Sequence, residues 1–223
     1  KIIGHHYFEL TDKWNMSDLG ADYLYMGDNI LPFMLPNGVR EIYNYNVWES
    51  ENKAFTYPLF KIGDLENSKR NRELNFLSLT LSDLDDEFSG LIDDTFVIVL
   101  SAKSKHAYPE MRAAFLKLLA LGIDNPVIIN CDYEGLDEED FRIFPSTDAG
   151  GLFVDGFGDG IMLHNSSSNA ARMVELANNV SFGILQATRT RMSKTEYISC
   201  PSCGRTLFDL QDTTAMIRKR TDH

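Results

Sequence analysis

Cysteine is scarce in this sequence: Cys131, Cys200 and Cys203 are the only three in 223 residues. Three thiols cannot build a disulfide framework, which points to a reducing compartment and a cytoplasmic location. No stretch approaches the roughly 20 consecutive apolar residues that cross a bilayer, so no membrane-spanning helix is expected. The opening residues, KIIGHHYFELTD, have neither a basic n-region nor an apolar h-region, which excludes a secretory signal there. They start abruptly, as an excised piece of a longer chain would. Basic residues are outnumbered too, with 21 Lys and Arg against 33 Asp and Glu and a formal net charge of -12. Binding a phosphate backbone needs a basic surface, so no nucleic-acid partner is expected. The acidity itself reads as a solubility device. The five histidines (His5, His6, His106, His164 and His223) show no HxxxH-like spacing, so they suggest no metal site.

What is present is an α/β pattern, clearer in the second half. With 43% apolar residues the chain can bury a sizeable core. Residues 21–28 (ADYLYMGD) read as a short strand with a turn after it. The Pro-, Asn- and aromatic-rich stretch that follows has no sustained period and reads as strands and connecting loops. LNFLSLTL (74–81) alternates as a strand does. Ser82 then caps an acid-rich first turn, which predicts a short helix. FVIVLS (96–101) and PVIINC (126–131) are continuous apolar runs, the mark of strands buried on both faces. Between them, Pro109 and a Gly stop bracket a helix, with Phe115, Leu116, Leu119 and Ala120 assigned to one face. GLFVDG (151–156) reads as a third strand of this kind and GIMLHN (160–165) as a fourth. Met173, Leu176, Ala177, Val180, Ile184 and Leu185 mark a long amphipathic helix from 167 to about 189. Alternating strands and helices at this spacing imply parallel strands with right-handed crossovers. Residues 1–190 are therefore expected to form one α/β domain, TIM-barrel-like and complete only in part, with a doubly wound sheet as the alternative. Residues 191–223 are expected to be a connector and the truncated start of a second unit, with a short helix near 213–220.

The strongest local signal is Cys200-Pro-Ser-Cys203-Gly. Two thiolates three positions apart can chelate a metal ion or cluster, and the glycine permits a tight turn toward the sulfurs. Three readings stand on spacing alone. A structural zinc site, or a zinc hook on a non-catalytic interaction domain, needs further ligands. A dithiol oxidoreductase would set its CxxC much earlier in its fold. An iron–sulfur site would need ligands from elsewhere. Cys131 sits in an apolar strand and reads as a buried core residue. VDGFGDG (154–160) lacks the spacing of a dinucleotide fingerprint and of a calcium loop, and reads as a tight turn between two short strands. Arg189, Arg191 and Lys194 read as a solvated hinge, and Asp137–Asp140 (DEED) as a solvated helix start.

The wording around the cysteines adds more than spacing does. SKTEYISCPSCGRTLFDLQ closely resembles the large, plant-type 4-hydroxy-3-methylbut-2-enyl diphosphate synthases of non-mevalonate isoprenoid synthesis, and DAGGLFVDGFGDGIML resembles a second block of that family in the same order. Together the two blocks cover about the last third of the chain. The resemblance implies an insert domain, barrel-like and mainly a spacer, followed by the start of a C-terminal α/β iron–sulfur domain. It implies a [4Fe–4S] cluster held by three cysteines and a glutamate, with Cys200 and Cys203 as two ligands and the other two on a later segment that this sequence does not contain. It implies the two-electron reduction of 2-C-methyl-D-erythritol 2,4-cyclodiphosphate to 4-hydroxy-3-methylbut-2-enyl diphosphate. Ferredoxin or flavodoxin would be the donor, a homodimer the assembly, and the plastid stroma the location in a plant. The isolated chain is expected to be inactive, and no substrate-binding residue can be named in it.

Overall fold

The computed structural model describes residues 2–33, 35–36, 38–51, 53–66, 68–85, 87–166, 170–196 and 207–221. An antiparallel hairpin, β1 (His5–Phe8) and β2 (Lys13–Met16), precedes the main sheet. That sheet has seven strands: β3 (Tyr23–Gly27), β4 (Arg40–Asn44), β5 (Thr56–Phe60), β6 (Asn75–Leu79), β7 (Phe96–Ser101), β8 (Val127–Glu134) and β9 (Gly160–Ser166). All neighbours pair in parallel, in strict chain order. A doubly wound sheet reverses its strand order at a switch point. No reversal occurs here, so that alternative falls. With right-handed crossovers, an unreversed order sends every connection over the same face.

The strand sequences obey this one-sided wrapping. In β7 and β8 the residues Phe96, Ile98, Leu100, Val127, Ile129 and Cys131 join the main core under the helices. Those helices are α2 (Ala107–Ala120), α3 (Asp140–Asp148), α4 (Gly150–Val154) and α5 (Ala170–Ala187). The alternate positions Val97, Val99 and Ile128 join a smaller cluster on the opposite face, around Ile42 and Phe76. Period-two alternation thus feeds two apolar layers, which is why these strands read as continuous apolar runs. A short helix α1 (Tyr45–Glu51) follows β4, and Trp48 anchors it by donating to the Thr56 carbonyl at 3.0 Å.

The sheet curls. A flat one would hold β3 and β9 about 29 Å apart, at about 4.8 Å per strand. Yet Asn178 on α5, the helix after β9, donates to the Leu19 carbonyl just before β3 at 3.0 Å. Arg191 pairs with Asp22 in the same region at 2.5 Å. The result is an open, barrel-like sheet, with no β3–β9 ladder among the described residues.

Three expectations need correction. GLFVDG is not a strand: residues 150–154 form α4, and Leu152 and Phe153 are buried in the main core. A short apolar run does not distinguish a buried strand from a buried helical turn. Close packing selects glycine at 151, where a Cβ would lie 2.8 Å from the Tyr108 ring. The segment from Ser82 forms two 3-10 turns, Leu81–Asp83 and Phe88–Gly90, instead of a helix. The first is closed from Thr80, whose N–H and hydroxyl both donate to Asp83. On α2 the buried stripe is Met111, Ala114, Phe115 and Leu118, while Leu116 and Leu119 are exposed. The buried i, i+3, i+4, i+7 stripe is rotated from the expected face and shares only Phe115 with it.

Among the described residues, no helix is long and apolar enough to cross a membrane.

Candidate functional site

Cys200 and Cys203 lie outside the described residues, and the connector toward them is described as far as Glu196. Helix α5 ends in a Schellman arrangement: Thr190 N–H bonds the Leu185 carbonyl at 2.9 Å and Arg189 N–H bonds the Gln186 carbonyl at 3.1 Å. Arg189 takes the left-handed backbone conformation this needs, with φ 60. The buried Gln186 side chain then holds the next turn. Its Oε1 accepts from the N–H groups of Ser193 and Lys194 at 2.7 and 3.3 Å, and its Nε2 donates to the Lys194 carbonyl at 3.4 Å. Arg191 reaches Asp22 and lies 5.0 Å from the Phe182 ring centroid. The expected solvated hinge is thus a strapped connector. Basic composition alone does not reveal this, because the strap is a glutamine in the preceding helix.

Beyond the cysteine pair, α6 (Leu210–Thr221) spans the expected 213–220 helix and buries no residue. Asp209 opens it by accepting from the N–H groups of Gln211 and Asp212 at 2.9 and 3.0 Å.

The remaining sequence candidates resolve as structure. Cys131 is buried in the main core, and burial pushes its thiol up to about 12. Such a thiol is neither a nucleophile nor an available ligand at neutral pH. The VDGFGDG segment turns from α4 into β9, so it joins a helix to a strand and not two strands. Its acids are engaged: Asp155 accepts from Tyr108 Oη and Arg112 Nε at 2.9 Å each, and Asp159 accepts from the Val127 N–H at 2.9 Å. Among the described residues no group of three or more His, Cys, Asp or Glu side chains is placed to hold a metal.

A polar constellation that sequence reading missed lies toward the C-terminal ends of the strands, on the concave face. Asp132 Oδ1 and His164 Nδ1, register partners on β8 and β9, lie 2.7 Å apart. Asn130 Nδ2 donates to Ser101 Oγ on β7 at 2.9 Å. Tyr25 on β3 donates to Asn44 at 2.8 Å, and Asn44 donates to Asp28 at 2.8 Å. Burial, then the charge of Asp28, raises the Tyr25 phenol above its ordinary value; the bond to Asn44 works against this, and the charge of Asp132 adds a smaller push. A charge on β8 that is felt on β3 is a further sign of the curl. The sequence carries only part of the signal: Asn130 and Asp132 are polar positions two apart around apolar Cys131, while their meeting with Ser101 and His164 depends on strand register.

No protein-family model matches the chain. Its curated relatives are more informative. It is 42% identical over 205 residues, 91% of this chain and 32% of the relative, to the 4-hydroxy-3-methylbut-2-en-1-yl diphosphate synthase (flavodoxin) of Parabacteroides distasonis. The protein of that name from Bacteroides thetaiotaomicron is 40% identical, with the same coverage of both chains. The chloroplastic, ferredoxin-type synthase of Arabidopsis thaliana is 44% identical over 113 residues, 50% of this chain and 15% of the relative. The chain spans about a third of the length of the first two of these relatives.

Proposed function

We propose that this chain, homologous over nine-tenths of its length to a segment of the 4-hydroxy-3-methylbut-2-en-1-yl diphosphate synthases, is part of such an enzyme. In this reading residues 1–190 are the insert domain and residues 191–223 open the iron–sulfur domain. The whole protein would reduce 2-C-methyl-D-erythritol 2,4-cyclodiphosphate to 4-hydroxy-3-methylbut-2-enyl diphosphate, as a homodimer. Flavodoxin is the favoured donor, since the bacterial relatives carry it in their names, with ferredoxin the plant counterpart. The observation that carries the reading is the 42% identity sustained across 205 residues.

Cys200 and Cys203 are the proposed ligands of a [4Fe–4S] cluster, which when bound supplies electrons to the substrate. The donor chemistry fits: thiolates three positions apart suit iron. Two ligands are too few, and the described residues offer no others. Cys131 is committed to the core, and His164 pairs with Asp132 on the concave face. The remaining ligands would come from elsewhere in the protein. This chain's own contribution would be mechanical, with Gln186 and Arg191 fixing where the cysteine-bearing segment leaves the barrel-like domain.

The test uses the full-length protein with Cys200→Ser and Cys203→Ser, singly and together, reconstituted anaerobically with iron and sulfide. Each variant is expected to lose bound iron, the cluster's electron paramagnetic resonance signal and turnover, while keeping its circular dichroism. Full iron content and turnover in the double variant would overturn the assignment.

A further inference from the structure

The concave face of the sheet changes character along its strands. Its middle is apolar, built on Ile42, Phe76 and Val99 with Ile128 and Met162 beside them. Toward the C-terminal ends it becomes polar, where Ser101, Asn130, Asp132 and His164 gather. We propose that this mouth binds a neutral, hydroxyl-rich small molecule, a polyol or a free sugar, through those four side chains. The proposal gives the barrel-like domain a ligand site of its own, beyond any role as a spacer, and does not depend on the cluster assignment.

Asn130 is the pivotal residue. Its amide nitrogen is spent on Ser101 Oγ. Its Oδ1 is buried and takes no hydrogen bond from any described residue, the only such side-chain atom among them. An unsatisfied buried acceptor is destabilising, and natural proteins keep few of them without a reason. A donor brought by a ligand removes that cost, provided the side chains covering the atom give way as the ligand enters. Two residues on in the same strand, Asp132 Oδ1 lies 2.7 Å from His164 Nδ1. When Nδ1–H donates to Asp132, His164 Nε2 and the second carboxylate oxygen are left as acceptors. Both side chains are exposed, so a ligand can reach them.

The ligand class follows from this set of free groups. Asn130 Oδ1, Asp132 Oδ2 and His164 Nε2 all call for donors, whereas the Ser101 hydroxyl, already an acceptor from Asn130, has its hydrogen to give. Hydroxyl groups meet both demands. An anion is disfavoured by Asp132 and by Asp28 on the far side of the mouth, with no Lys or Arg among the four side chains. A metal ion lacks the three-ligand group it would need. The neighbouring apolar floor, with Met162 paired to Asn130 across the strands, suits the C–H face of a polyol. The C-terminal ends of parallel strands are also where barrel-like α/β sheets place their ligands.

Calorimetric titration of the full-length protein tests this, with myo-inositol, inorganic phosphate and putrescine as separate probes. Myo-inositol is expected to bind and the other two not. His164→Ala and Asp132→Ala, both at exposed positions, are each expected to weaken binding about tenfold, the loss of one or two hydrogen bonds. Asn130→Leu is expected to weaken it at least as much; should that variant fail to fold, the two exposed ones carry the test. No heat with myo-inositol, equal affinity in His164→Ala and Asp132→Ala, or tighter binding of phosphate or putrescine at this mouth would overturn the proposal. Cluster content, measured alongside, is expected not to change in any of these variants, so failure here is distinct from failure of the cysteine assignment.

Discussion

Arg191 reaches back 169 residues along the chain to pair with Asp22, and so ties the segment after the last strand to the segment before the first parallel one. Beside it, buried Gln186 holds the backbone of Ser193 and Lys194. The two contacts differ in kind. The ion pair is partly exposed, and such pairs contribute about 0–1 kcal/mol and weaken with salt. The glutamine satisfies the buried N–H of Ser193, and leaving that donor unpaired costs more.

Gln186→Leu is therefore expected to destabilise the domain by about 1–3 kcal/mol, the cost of leaving the buried Ser193 N–H without an acceptor. Asp22→Asn is expected to cost well under that and to lose its effect in high salt. Urea denaturation at low and high ionic strength separates the two. Equal, salt-sensitive losses would mean that the strap is electrostatic.

Glu41 is buried on β4, with Lys53 Nζ at 2.6 Å and the Tyr43 hydroxyl donating to it at 2.6 Å. Removing only the cation strands a buried carboxylate, so Lys53→Met is expected to cost about 3–5 kcal/mol. The pH dependence has a definite sign. Burial works to lower the Lys53 ammonium, but the hydrogen bond and charge of Glu41 outweigh it, and the net shift is upward from 10.5. This stabilisation is fully present below the ordinary lysine range and is lost as pH climbs through the raised value. Thermal midpoints of the wild type and Lys53→Met are expected to stay well separated through neutral pH and to converge above pH 10.5.

Much of this fold can be read directly from residue pattern. Phe96–Ser101 and the run from Val127 announce buried strands because their apolar side chains serve two layers at once. The α5 stripe from Met173 to Leu185 follows helical period and is buried as expected. What pattern could not decide was local and tertiary. Gly150–Val154 has the composition of a strand, yet it lacks a partner edge and packs as a helical turn against Tyr108. The strict strand order is invisible to periodicity, since doubly wound and barrel-like sheets share the same alternation. The polar mouth was missed because Ser101, Asn130, Asp132 and His164 lie on three strands, and only the register brings them together.

The turn between α4 and β9 offers a paired test of two glycine effects. Gly156 and Gly158 both have positive φ, 84 and 88. Around Gly156 there is open space, so Gly156→Ala should cost only the backbone strain, about 1 kcal/mol. At Gly158 a Cβ would lie 2.7 Å from Ile129 Cδ1 and 3.2 Å from the Phe153 ring. Gly158→Ala adds overpacking of about 1–3 kcal/mol to the same strain. Chemical denaturation should rank Gly158→Ala clearly below Gly156→Ala; equal losses would show that Ile129 gives way freely.

The Cys131 thiol is expected to be unreactive in the folded protein. The residue is 4% exposed and its pKa is pushed up to about 12 by desolvation, so almost no thiolate exists at neutral pH. Alkylation of the native protein by iodoacetamide should therefore leave Cys131 unmodified until the domain unfolds. Its labelling rate across a urea series should then track the population of open molecules and not the reagent's access to the surface. Because the thiol is part of the packed core, Cys131→Ala is expected to destabilise the domain by about 1 kcal/mol, through lost contacts and the small void it leaves. Peptide mapping after native alkylation gives the first result, and comparative unfolding of the variant and the wild type gives the second. Rapid native labelling of Cys131, or an alanine variant as stable as wild type, would place this sulfur at an accessible position and not in the core.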